Sequence, residues 1–109
     1  MEGLVEKFVD ASIKYGEAIE EGESKIANKQ SSIIRKIRKQ LFESSKLDIL
    51  IPSLQHENDY VKLNAAASVI WILPNDAREV LEELQNRRGL LGFEAKMFLR
   101  EWDKGNIEI

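Results

Sequence analysis

His56 is the single histidine, and cysteine is absent, so the side chains that most often hold a transition metal or act as general bases near neutral pH come down to one. No His-x-x-x-His or Glu-x-x-His spacing accompanies it, and a metal site would rest on carboxylates alone. A terminal, structural role suits His56 better, because an imidazole in a last turn interacts favourably with the helix dipole. Glu20-Glu21 and Glu82-Glu83 are paired carboxylates, yet neighbours on a helix point about 100° apart and do not converge on one substrate. Ser31-Ser32 and Ser44-Ser45 stand in no nucleophile motif, and the second pair reads as a helix-to-helix turn.

Gly89-Leu90-Leu91-Gly92 has the outline of a phosphate loop or of a GxxG nucleic-acid clamp. The first needs a Gly-Lys-Ser/Thr ending and the second a sheet-containing fold, and both are missing. A packing explanation is stronger: Gly89 takes a left-handed cap, Leu90 or Leu91 plugs the core, and Gly92 allows close entry to the last helix. Phe98 and Trp102 are read as core aromatics. No catalytic residue, metal ligand or cofactor site is assigned, and the chain is expected not to be an enzyme.

One cluster rises above this background. Lys25, Lys29, Arg35, Lys36 and Lys39 fall on the outer side of one predicted helix and form the candidate interaction surface. Its setting is an uneven charge distribution within a net charge of −3. Residues 1–24 hold seven acids against Lys7 and Lys14, giving −5, whereas residues 25–46 hold seven bases against Glu43, giving +6. An acidic helix is followed by a basic one, and the first is placed to neutralise the second.

The elements that carry these residues follow from periodicity. A first helix over about 2–20 places Val5, Phe8, Ser12, Tyr15, Gly16 and Ile19 on one side, and Gly22 is placed to end it. The second, about 23–43, buries Ile26, Gln30, Ile33, Ile34, Ile37 and Leu41. A short third, about 46–55, carries Leu47, Leu50, Ile51 and Leu54, with Pro52 bending it or making its first turns irregular. The Glu57-Asn58-Asp59 run supplies an oxygen to cap a fourth, about 59–73, with so little polar face that it must be central. A fifth opens after Pro74 on a capping box of Asp76 and Glu79 and stops at Gly89, and a sixth begins near Gly92 and ends at Gly105.

Connections of about two to five residues force neighbours to run antiparallel, which makes one domain over 1–109 from three hairpins at 1–43, 46–73 and 75–104. Residues 47–73 have the cadence of a HEAT repeat: an apolar helix with an internal proline, a polar turn ending in Asp59, then Val61-Lys62 and Ala65-Ala66. The N-terminal residues interleave acids with apolar side chains and lack a signal-peptide pattern. No apolar window approaches the ~20 residues needed to span a bilayer. A cytoplasmic chain with no membrane contact is expected.

A resemblance covers the chain from Leu4 to Gly105. It is carried by Gly16-Glu17-Ala18-Ile19 with Gly22 and Ala27-Asn28, by Leu54-x-His56, Val61 and Ala65-Ala66, and by Val80-Leu81-Glu82-Glu83-Leu84. It continues through Gly89-Leu90-Leu91-Gly92-Phe93-x-Ala95-Lys96-Met97 and Glu101-Trp102-x-Lys104-Gly105. On these residues the chain resembles a bacterial family with HEAT-like helices, the domain of unknown function numbered two thousand and nineteen. The resemblance implies an all-α, right-handed α-α superhelix of the HEAT/ARM class and no agreed activity. Lys62 and Asn64 stand where relatives tend to carry an arginine and an aromatic residue, so a bidentate arginine contact at that turn is not retained.

Composition and motifs together point to a non-catalytic protein-protein interaction module, an immunity-type or adaptor protein being the kind that fits its size and charge. The alternative is nucleic-acid binding through the basic face of the second helix, against which stand a pI near 5.3 and the lack of aromatics interleaved with the bases. A homodimer formed between acidic and basic helices is a third arrangement.

Overall fold

Connections of two to four residues and three left-handed caps shape the chain, which we describe from a computed structural model covering residues 2–109. Met1, where the expected first hairpin begins, lies outside the described residues. Helix α1 runs Glu2–Glu21 and α2 runs Ser24–Glu43. Between them Gly22 adopts a φ of 73°, its N–H reaching the carbonyl of Ile19 while that of Glu23 reaches Ala18, at 3.2 and 2.8 Å. This is the Schellman arrangement, which satisfies the last carbonyls of a helix and reverses the chain. It recurs twice. Ser45 at a φ of 56° ends α2 with Lys46 N–H on Leu41 and Ser45 N–H on Phe42, and Gly105 ends the last helix in the same way.

Leu47–Gln55 forms a 3-10 helix along its whole length, where the sequence predicts a short helix that Pro52 either bends or makes irregular in its first turns. Pro52 has no N–H to give, and its ring collides with the carbonyl four residues back, so α-type bonding cannot continue through this segment. The three-residue repeat instead aligns Leu47, Leu50 and Ser53 on the buried side, with Leu54 beside them. The next helix, α3, runs Asp59–Val69 and is capped as the sequence predicts: Asn58 Oδ1 accepts from the N–H groups of Tyr60 and Val61 at 2.9 and 3.1 Å. It stops four residues short of the predicted end. Pro74 disfavours helical geometry in the residue before it, and Leu73 stands outside the helical region at φ −140° and ψ 63°.

Helix α4 spans Pro74–Leu84 with its proline in the first turn, and no side chain caps it. The predicted Asp76/Glu79 capping box therefore does not form, because Pro74 starts the helix two residues earlier. Helix α5 spans Gly89–Asp103 rather than starting near Gly92. Gly89 does take the left-handed conformation, φ 77°, but it opens α5 instead of closing α4, which has already ended at Leu84. Leu91 enters the core while Leu90 stays 53% exposed. A β-carbon on Gly92 would collide with the carbonyl of Arg87, so the predicted close entry is observed.

Six helical segments and no strand occur among the described residues. α1 packs on α2, the 3-10 helix on α3, α3 on α4, and α4 on α5. α3 also touches α1 and α5, which makes it the central element the sequence requires. Of its eleven residues only Asp59 and Lys62 escape burial. Phe8, Leu41, Leu50, Ile70, Leu81 and Leu84 are the largest fully buried side chains around it, each contributing roughly 1.5–3 kcal/mol by leaving water. In α2 the buried stripe is Ala27, Ile34, Ile37 and Leu41. Ile26, expected inside, is 44% exposed, because the small residues Ala18 and Ala27 fill the core near the Gly22 turn. No helix is long and apolar enough to cross a membrane among the described residues.

Candidate functional site

Placing Ile34, Ile37 and Leu41 inward turns the opposite side of α2 to water, and Lys25, Lys29, Arg35, Lys36 and Lys39 are all exposed there. None of the five makes an ion pair among the described residues. The ion pairs run elsewhere: Lys14 to Asp10 at 3.0 Å within α1, Arg87 to Asp59 at 3.2 Å and to Glu83 at 3.3 Å, and Arg78 to Asp103 and Glu82. The acidic helix α1 therefore does not neutralise the basic face by direct pairing, contrary to the expectation from charge order. Lys25 with Lys29 and Arg35 with Lys39 are one turn apart, and each such like-charge pair costs about 0.2–0.5 kcal/mol. The helix carries that cost and projects a positive field that acts over the ~8–10 Å screening length of physiological salt.

The face has an inner edge that the sequence reading omitted. Arg38 sits between the exposed bases and the buried stripe, and its Nε donates to Ser68 Oγ on α3 at 2.8 Å. Ser68 passes its own hydrogen to the carbonyl of Asn64 at 2.7 Å, and Asn64 Nδ2 donates to Ser12 Oγ on α1 at 3.2 Å. Burial disfavours the charged guanidinium, and the charge of Arg35 adds to the effect, so the Arg38 pKa is pushed down to about 10. A signal was present: position 38 lies four residues after Ile34 and three before Leu41, on the buried stripe's own spacing. It was masked by three other bases within positions 35–39.

Arg38 opens onto a cavity of about 150 Å³ also lined by Tyr15, Ser31, Arg35, Asn64, Glu94 and Phe98. Tyr15 donates its hydroxyl to Glu94 Oε1 at 2.5 Å. Burial raises the Glu94 carboxyl above the ordinary carboxylate range, opposed by that hydrogen bond. Tyr60, which meets Tyr15 edge to face at 6.0 Å, donates in turn to Glu20 Oε2 at 2.6 Å. Burial, then these carboxylates, raise both phenols far above their usual value.

The remaining sequence candidates fall into structural roles. His56 closes the 3-10 helix, and its Nδ1 accepts the N–H of Asn58 at 3.0 Å, holding the residue that caps α3. Glu20 serves Tyr60, while Glu82 and Glu83 face the arginines one turn from each, Arg78 and Arg87. Ser31 lines the cavity, whereas Ser45 is the left-handed cap. Among the described residues no group of three or more histidine or carboxylate side chains is placed to hold a metal ion. Trp71 and Trp102 stack edge to face at 4.8 Å, and Trp102 and Phe98 both pack against the core.

No family model matches the chain, and no curated protein matches it. Among solved structures it is similar to the crystal structure of the protein RPA1889 from Rhodopseudomonas palustris CGA009. The two are 22% identical and superpose with a TM-score of 0.88 over 99% of this chain and 92% of the other. The fold is shared. At that identity the likeness concerns fold alone, and it supports the all-α arrangement.

Proposed function

We propose that the chain is a non-catalytic, cytoplasmic protein-interaction module, a HEAT-like α-α superhelix of three hairpins of the kind the family resemblance implies. It presents the outer face of α2 to an acidic partner surface. The observation that carries this reading is the set of five exposed cations, Lys25, Lys29, Arg35, Lys36 and Lys39, without an ion-pair partner among the described residues. A face whose charges are left uncompensated within its own chain gains most from a complementary surface, through faster encounter and rejection of wrong partners. An immunity-type or adaptor role fits that mode of recognition.

The test is affinity capture of the tagged chain from native lysate beside a Lys36→Glu/Lys39→Glu double variant, with circular dichroism to establish that both are folded. One recurrent protein partner lost by the double variant supports the reading. The same partner held equally by both chains would overturn the assignment to α2. The unpaired cations also support a second reading, nucleic-acid binding by the same face. Its signature is a mobility shift that weakens steeply with salt, each phosphate contact contributing about one unit to the log-log slope, and that the same double variant abolishes. Sedimentation at several concentrations decides whether a second copy of the chain occupies the face.

A further inference from the structure

The cavity beside α2 combines a cation drawn into the protein with no anion to answer it. Arg38 is half-buried, and no carboxylate pairs with it among the described residues. Its Nε is fixed on Ser68 Oγ, itself fully buried and anchored to the Asn64 carbonyl. That bond ties down one edge of the guanidinium, and among the described residues its two terminal nitrogens have no hydrogen-bond partner. Every fully buried side-chain nitrogen and oxygen among the described residues has a partner, so these two keep some exposure, and Arg38 is one of the residues that line the cavity. Arg35, one turn earlier, lines the same space and adds a second positive charge. Removing a cation from water is costly unless an anion and hydrogen bonds answer it. Here the hydrogen bond is present at one edge and the anion is missing at the other.

We propose that this cavity is a binding site for a single carboxylate group, held end-on by the two terminal nitrogens of Arg38 with Arg35 beside it. The planar fork of a guanidinium matches the two oxygens of a carboxylate in a bidentate pair. Glu94, held by Tyr15, lines the same cavity, and its carboxyl disfavours a dianion such as phosphate more than a monoanion. Ile34, Leu63, Ala67 and Phe98 complete the lining and suit the methylenes that follow a carboxylate in a short aliphatic acid or in a glutamate side chain. The site shares Arg35 with the outer face but none of its four lysines, and the Lys36→Glu/Lys39→Glu test of the proposed function does not touch its residues.

The experiment is a titration of the folded chain followed by nitrogen-proton NMR, reading the Arg38 Nε–H and the backbone signals of residues 63–67, at constant ionic strength. The probes are butyrate, a blocked peptide whose one charged side chain is glutamate, butyramide as the neutral isostere, and inorganic phosphate. Saturable shifts with butyrate or the peptide support the site, as does about a tenfold or greater loss in Arg38→Lys, which keeps the charge and loses the fork. Of these two probes, the tighter binder distinguishes a free acid from an acidic side chain as the source. The proposal is overturned if neither carboxylate saturates, if butyramide binds as well, if phosphate binds more tightly than both, or if folded Arg38→Lys binds unchanged. Ser68→Ala supplies a second check that leaves the fork intact: loss of its orienting bond should weaken butyrate binding less than Arg38→Lys does.

Discussion

Gly16 on α1 lies flat against Tyr60 on α3, so close that a β-carbon at Gly16 would stand less than 3.0 Å from Cβ, Cγ and Cδ2 of the tyrosine. The glycine is there for the neighbour, since its own backbone is ordinary helix. Exchange of a mid-helix glycine for alanine ordinarily stabilises by roughly 0.5–1 kcal/mol. Here overpacking outweighs that gain, and Gly16→Ala should destabilise by about 1–3 kcal/mol. Gly3, in the same helix with nothing within 4 Å of its missing side chain, is the control. Gly3→Ala should be neutral or slightly stabilising in denaturant titration, and equal losses at both positions would refute the close-approach argument.

Ser45 occupies a left-handed cap that glycine fills at Gly22 and Gly105. A side chain in that conformation costs about 1–2 kcal/mol relative to glycine. Its hydroxyl makes no hydrogen bond that would offset this cost among the described residues, and the backbone bonds of the turn belong to the main chain. Ser45→Gly should therefore raise stability by about 1 kcal/mol, read as a higher unfolding midpoint with an unchanged denaturant slope.

Glu94 gives stability a pH dependence whose sign is opposite to that of a salt-bridged acid. Burial raises its folded-state pKa, so between the unfolded and folded values the native state binds the extra proton. Stability then falls as pH rises through that window. Glu94→Gln removes the titration while keeping an acceptor for the Tyr15 hydroxyl. The difference in stability between variant and parent should grow in the variant's favour as pH climbs above about 4.3, the ordinary glutamate value. A difference that stays constant with pH would contradict the burial argument.

Tyr15 and Tyr60 are the two tyrosines of the chain, and burial followed by a carboxylate partner raises both. Ultraviolet titration should therefore detect no phenolate near pH 10, where a free tyrosine is half ionised. Ionisation should appear together with loss of helix. The same linkage makes stability decline as pH passes above about 10, because the unfolded chain releases protons that the folded chain keeps. A smooth phenolate curve centred near 10 with the helical signal intact would show that the two rings are solvated.

The first half of the chain was legible to within a residue or two because Gly22 and the Ser44-Ser45 pair punctuate long amphipathic helices. The second half was harder, since Pro74 and Gly89 each admit two readings. The sequence pattern sets Pro74 before a helix, and Pro74 lies in that helix's first turn; the pattern sets Gly89 after a helix, and Gly89 opens the next. The basic face of α2 was readable from spacing. Its inward member Arg38 was not, because long charged side chains at the rim of a stripe can bury a stem or a head, and only the neighbour decides. That neighbour, Ser68, lies thirty positions away in sequence.

Helix α3 is greasy all the way round, so oil-and-water sorting gives it no reason to prefer one angular setting about its own axis over another. Asn64 and Ser68, reaching Ser12 on one side and Arg38 on the other, act like a key cut into a shaft. Swap both for alanine and the rod should still be swallowed by its neighbours, yet be free to turn in its socket, giving a protein that is helical but blurred.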